Sequence, residues 1–169
     1  GLSKQEILST LQAFKARDMD WKSGKVWCYV YDAGEDPAEV TKEAYLSFLS
    51  ENGLDPSVFP SILKLETDVA RMVINLLRGD PNAVGHLTSG GTESIMLAVK
   101  SARDKARVEK PRVTHPEMIL PKNAHAAFHK AAHYLCVKPV VVDLDPETFT
   151  VRASDVESAI NENTILLVA

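Results

Sequence analysis

Apolar residues recur at helical spacing through the first half of the chain and in short runs through the second. Ile7, Leu8, Leu11 and Phe14 fall on one helical face, and Ser3-Lys4-Gln5-Glu6 ahead of them predicts a capping box. Asp36-Pro37 makes a good N-cap and first helical position for a second helix, which should stop at Asn52-Gly53. A third helix follows Pro60, with Ile62, Leu65, Val69, Met72, Val73 and Leu76 in period, and should end at Gly79-Asp80-Pro81. Between the first two helices, Trp21 to Asp32 reads as an aromatic loop carrying Trp27, Tyr29 and Tyr31.

The pattern changes at Val84. Apolar runs at 84–87, 117–120, 139–144 and 164–169 alternate with helical stretches at about 92–109, 124–135 and 154–161. Such alternation predicts βα units and a largely parallel or mixed sheet. The chain stops inside its most strand-like run, Ile165 to Ala169, and starts on Gly1 rather than Met. The expectation is therefore the front part of a larger protein with a trimmed start.

Composition narrows the class. The chain has 169 residues, 45% apolar and 25% charged, which is an ordinary globular balance. Nineteen basic against twenty-three acidic residues give 19 − 23 = −4, and no Lys/Arg run marks a nucleic-acid surface. No apolar stretch approaches the length of a bilayer span. Cys28 and Cys136 form no CxxC pair, so free thiols and a cytoplasmic setting are expected.

Two junctions carry candidate chemistry. Thr88-Ser89-Gly90-Gly91-Thr92-Glu93-Ser94 precedes a helix, and a glycine turn at a helix start offers free N–H groups to an anion. The same residues also describe a capped helix with no ligand, in which Glu93 merely suits the helix dipole. It is neither a Walker A loop nor a GxGxxG turn. Further on, His125, His129 and His133 stand four residues apart, as if lining one helical face. No HExxH glutamate or second ligand cluster accompanies them, so no metal site is expected, and His133 reads as an ordinary helix histidine. His125 differs in following the apolar run that ends at Leu120-Pro121, at a strand-to-helix junction where α/β sheets gather ligands.

Together, Thr88-Ser89-Gly90-Gly91-Thr92-Glu93-Ser94-Ile95 and Asn123-Ala124-His125-Ala126-Ala127-Phe128-His129-Lys130-Ala131-Ala132 resemble the sphingosine-1-phosphate lyase family, within the group II pyridoxal-phosphate decarboxylases. Val58-Phe59-Pro60-Ser61 and Asn163-Thr164-Ile165-Leu166-Leu167-Val168 add to the match. The resemblance implies an α/β fold: the leading part of a fold-type I (aspartate aminotransferase-like) large domain, residues 61–169, behind a helical arm, residues 1–60. It implies pyridoxal 5′-phosphate as cofactor, with Gly91 and Thr92 at its phosphate and His125 stacked on its ring. Tyr31 matches an active-site tyrosine; from the residues alone it is a loop aromatic packed on the body.

The implied reaction is carbon–carbon cleavage of a phosphorylated long-chain amino alcohol to a fatty aldehyde and phosphoethanolamine. The alternative is an amino-acid decarboxylase, and outside enzymes an anion-binding or structural fragment. The partners implied are a small phosphorylated amine or amino acid and a second copy of the chain, in a homodimer. Two departures stand out. Asp55 occupies a stretch where the lyases usually carry a histidine, and its charge would repel a phosphorylated substrate if it faced one. The pyridine-pairing aspartate and the Schiff-base lysine of the family have no match here, so residues 1–169 alone should be inactive.

Overall fold

The computed structural model describes residues 1–169, which divide into two compact units, Gly1–Leu63 and Lys64–Ala169. The first holds two helices, α1 (Lys4–Lys15) and α2 (Glu35–Ser47), and the opening turn of α3 (Pro60–Leu76). The capping box forms as the sequence predicts: Glu6 N–H donates to Ser3 Oγ at 3.3 Å, and Ser3 N–H donates to Glu6 Oε2 at 2.7 Å. The second helix starts two residues earlier than Pro37 and ends five before Asn52. Gly34, at φ 98°, serves as its N-cap, and Asn52 instead closes a turn of its own by accepting from Leu54 N–H at 3.1 Å. Trp21–Ser23 form a single 3₁₀ turn, and the aromatic loop after it has no regular structure.

The third helix ends in a Schellman motif. Gly79 N–H donates to Ile74 O at 2.8 Å and Arg78 N–H to Asn75 O at 3.1 Å. The left-handed residue is Arg78, at φ 55°, rather than the glycine beside it. Gly79 is required by space: a Cβ there would stand 2.8 Å from Ile74 Cγ2 and 3.0 Å from Ala83 Cβ.

The second unit contains α4 (Gly91–Glu109), β1 (Glu117–Pro121), α5 (Ala126–Leu135), β2 (Lys138–Val142), α6 (Ala153–Ala159) and β3 (Thr164–Leu167). The three strands form one wholly parallel sheet in the order β2-β1-β3. The expected strand at 84–87 is absent, and that segment is irregular. No strand lies beside it, and Gly85 instead comes close to Ala70 of α3, where a Cβ would stand 3.1 Å from Ala70 Cβ.

β1 is the centre of the core. Met118, Ile119 and Leu120 are fully buried, and Val99, Ala131, Ala132 and Val137 pack with Met118 and Leu120. Such a doubly covered strand reads in sequence as a continuous apolar run. Its first residue is polar and also buried. Glu117 accepts from Lys138 Nζ, at the start of β2, at 2.8 Å, and from Asn161 Nδ2, ahead of β3, at 2.8 Å. One carboxylate thus ties the starts of all three strands, beside a register shift in the β1–β3 pairing.

The Asn161 and Lys138 hydrogen bonds hold the Glu117 carboxyl below its ordinary 4.5. A group whose folded pKa is depressed stabilises the fold above its unfolded value and loses that contribution as the proton returns. Stability should therefore decline as pH falls below 4.5, and Glu117→Gln should remove part of that slope. Urea denaturation of both proteins across that range checks it; identical slopes would show that Glu117 contributes none of it.

Candidate active site at the helix starts

The turn into α4 is closed by its own side chains. Glu93 Oε2 accepts from Ser89 N–H at 2.7 Å and from Ser89 Oγ at 2.6 Å. Thr88 Oγ1 lies 2.6 Å from Ser94 Oγ and 3.1 Å from Gly90 O. The first ladder bond of the helix runs from Ser94 N–H to Gly90 O at 3.1 Å. The amides of Gly91 and Thr92 and the Thr92 hydroxyl make no hydrogen bond within the chain, as the first turn of a helix dictates for its N–H groups. Gly90 and Gly91 differ from Gly79 and Gly85 in that a Cβ at either would meet nothing within 4 Å. Internal packing does not require a glycine at Gly91; the missing side chain leaves an open approach to the free amides.

Glu93 is ionised in this arrangement. Hydrogen bonds from the Ser89 hydroxyl and amide lower its pKa, and nearby His86 adds to the effect. The sequence reading gave Glu93 only a helix-dipole role and missed its grip on Ser89. The visible signal was the Ser-x-x-x-Glu spacing, one residue longer than a capping box.

The second junction lies between β1 and α5. His125 is the N-cap, at φ −56°, ψ 137°, and its Nδ1 accepts from Ala127 N–H at 3.1 Å. An Nδ1 that accepts carries no proton, so the neutral ring bears its hydrogen on Nε2. The ring is solvent-exposed and held by this bond. His125 therefore stands outside the helix, and only His129 and His133 belong to α5. This corrects the expectation of three histidines on one helical face; the helix begins two residues later than the apolar spacing suggests because the imidazole caps it.

Both junctions open at the same edge of the sheet. Parallel strands need a crossover that returns antiparallel to them, so α5 runs against β1 and β2. The helix α4 packs along α5, with Arg103 Nη1 donating to Leu135 O at 3.3 Å. The end of α4 lies at the start of β3, where Lys110 Nζ donates to Thr164 O at 3.3 Å, just as α5 ends beside the start of β2. The two helices run the same way, and their starts lie where β1 ends. An ion pair between Lys122 and Asp143, at 3.2 Å, spans the same edge from β1 to β2.

The remaining sequence-predicted residues lie in the first unit. Tyr31 is 98% exposed on the aromatic loop, which excludes the reading that it packs on the body of that unit. It lines an open cavity of about 550 Å³ with Trp21, Trp27 and Tyr29. Asp55 closes a turn: its Oδ1 accepts from Ser57 N–H at 2.9 Å and Ser57 Oγ at 2.6 Å, which also lowers its pKa.

Comparison with known proteins places the chain. The model of the DegT/DnrJ/EryC1/StrS aminotransferase family matches residues 41–169. The chain belongs to that family. The chain is 41% identical to the sphingosine-1-phosphate lyase of Drosophila melanogaster over 169 residues, 99% of this chain and 31% of the fly protein. It is 38% identical to a probable L-aspartate decarboxylase of Pyrococcus furiosus, over 99% of this chain and 43% of that one. A solved Burkholderia pseudomallei sphingosine-1-phosphate lyase superposes with a TM-score of 0.88 at 34% identity, covering 99% of this chain and 40% of its own. The chain thus spans less than half the length of each of these relatives, and the resemblance drawn from the two motifs agrees with them.

Members of the DegT/DnrJ/EryC1/StrS family and these lyases and decarboxylases use pyridoxal 5′-phosphate. The residues present fit that group. Free amides at Gly91 and Thr92, a free hydroxyl and open space over the glycines suit a phosphate, and a fixed, exposed imidazole suits a flat ring.

The cap and the ring of His125 can be separated. His125→Ala should destabilise the protein by about 1 kcal/mol through loss of the cap, whereas His125→Asn, a good N-cap without a stacking ring, should restore most of that. Thermal denaturation of both variants tests it; equal losses would mean that the Nδ1 bond contributes nothing.

Proposed function

We propose that this chain is the cofactor-holding front part of a pyridoxal 5′-phosphate lyase. The substrate is a phosphorylated long-chain amino alcohol, cleaved to a fatty aldehyde and phosphoethanolamine. The observation that carries the cofactor part of the reading is the pairing of an open, amide-lined turn at Gly91-Thr92 with the capped imidazole of His125 on one sheet edge; the choice of substrate rests on likeness to the lyases. The identity to the fly lyase supports it. The cofactor supplies an electron sink for cleavage of a bond beside the substrate amine.

The chain's own residues hold and orient. The Gly91 and Thr92 amides and the Thr92 hydroxyl would bind the phosphate, with the positive end of α4 behind them. His125, its Nδ1 engaged by Ala127 N–H, would hold its ring against the cofactor ring with Nε2–H left as a donor. Tyr31, exposed on its loop, would hold or move a proton at its hydroxyl.

The second reading, an amino-acid decarboxylase using the same turn and imidazole, is favoured by the identity to the Pyrococcus protein. The two differ in product. Full-length protein given sphingosine-1-phosphate should release a fatty aldehyde and phosphoethanolamine. Carbon dioxide from aspartate or glutamate, with no aldehyde, would establish the decarboxylase instead. Thr92→Ala should weaken cofactor retention about tenfold or more, since a charge-assisted hydrogen bond contributes about 1.5–3 kcal/mol.

Residues 1–60 act in this reading as an arm that packs against a second copy of the chain. Ile7, Leu8, Leu11 and Phe14 leave one face of α1 exposed, with none of them buried. Sedimentation of the cofactor-loaded full-length protein should give a dimer, and a monomer would refute the arrangement. No helix is long and apolar enough to cross a membrane. The working location is the cytoplasm.

A further inference from the structure

We propose that Glu93 is a positioning residue for the phosphate turn, acting through Ser89 rather than touching the ligand. The proposal rests on the phosphate reading of Gly91-Thr92 given above. Four observations converge on it. A single oxygen, Glu93 Oε2, receives both the Ser89 amide and the Ser89 hydroxyl. Those bonds span the bend at Gly90, joining its first limb to the first turn of α4. They consume Ser89's donors, so the amides left for an anion are those past the bend. Glu93 itself is exposed and packs in no core, so its two hydrogen bonds are its contribution to the structure.

A carboxylate beside a phosphate site is electrostatically unfavourable, since like charges about 4 Å apart repel by roughly 1 kcal/mol even in water. A glutamate retained only to complement the helix dipole would compete with the phosphate for the same positive end. The geometry points to a different use. Glu93 spends its acceptor on Ser89, and the turn is set before any ligand arrives. Without the tether, Gly90 and Gly91 leave the turn free to adopt other backbone conformations, because neither carries a Cβ that restrains it. Binding would then have to order the turn as well as contact the phosphate.

Because both bonds fall on one oxygen, a glutamine can reproduce them through its amide oxygen while removing the charge. An alanine removes both. The two substitutions therefore separate positioning from charge. In the full-length protein, the affinity for pyridoxal 5′-phosphate relative to pyridoxal isolates the phosphate contribution. Glu93→Ala should lower that ratio roughly tenfold, and Glu93→Gln should leave it within about twofold of the parent or raise it. Hydrogen exchange at the Ser89 amide, measured without cofactor, should quicken in Glu93→Ala and stay slow in Glu93→Gln. Equal ratios for the two variants, or an unchanged ratio in Glu93→Ala, would overturn the positioning role. A parent protein showing no preference for the phosphorylated form would overturn the phosphate reading itself, whatever the variants do.

Discussion

Everything at the candidate site depends on the burial of β1 between its two neighbours. Met118, Ile119 and Leu120 lose nearly all contact with water, and a strand buried in that way must have every backbone group paired. Parallel partners on both sides meet that demand, and parallel pairing in turn forces a helical crossover between β1 and β2. The crossover fixes the direction of α5, and α4 packs alongside it. Two helix starts therefore face the same edge. The site follows from sheet topology before any of its side chains is considered.

Local chemistry then divides the labour between the two starts. At α4 the side chains of Thr88, Ser89, Glu93 and Ser94 satisfy one another and leave backbone amides outward. At α5 a side chain caps the helix and presents its ring outward. One start offers dipoles and the other offers a π surface. The lyase and decarboxylase readings share these features, and nothing in either start distinguishes a carboxylate leaving group from an aldehyde.

The sequence made the architecture legible wherever one principle governed a segment alone. The capping box at Ser3 and Glu6 and the three strands of the sheet are local or strongly periodic, and they form where the pattern puts them. Misreadings arose where two principles competed. The run at 84–87 has strand-like residues but no strand beside it, and the close approach of Gly85 to Ala70 takes precedence. His125 looked like one of three helix histidines because spacing cannot tell a cap from a first turn. The Glu93–Ser89 tether was hidden for a related reason, since glutamate four residues after serine is also common on any helix surface.

The carboxylate of Glu117 gives the sheet two unlike ends. Where the strands begin, one buried carboxylate and its two side-chain hydrogen bonds join all three. Where they end, the links are an exposed ion pair and backbone hydrogen bonds, Lys122 N–H to Val142 O at 3.0 Å and Val168 N–H to Ile119 O at 2.9 Å. A five-residue strand separates these ends by roughly 16 Å. The Glu117 tie and the two helix starts therefore stand at opposite ends of the same strands, so the carboxylate that joins the sheet places no negative charge beside the open amides of Gly91 and Thr92.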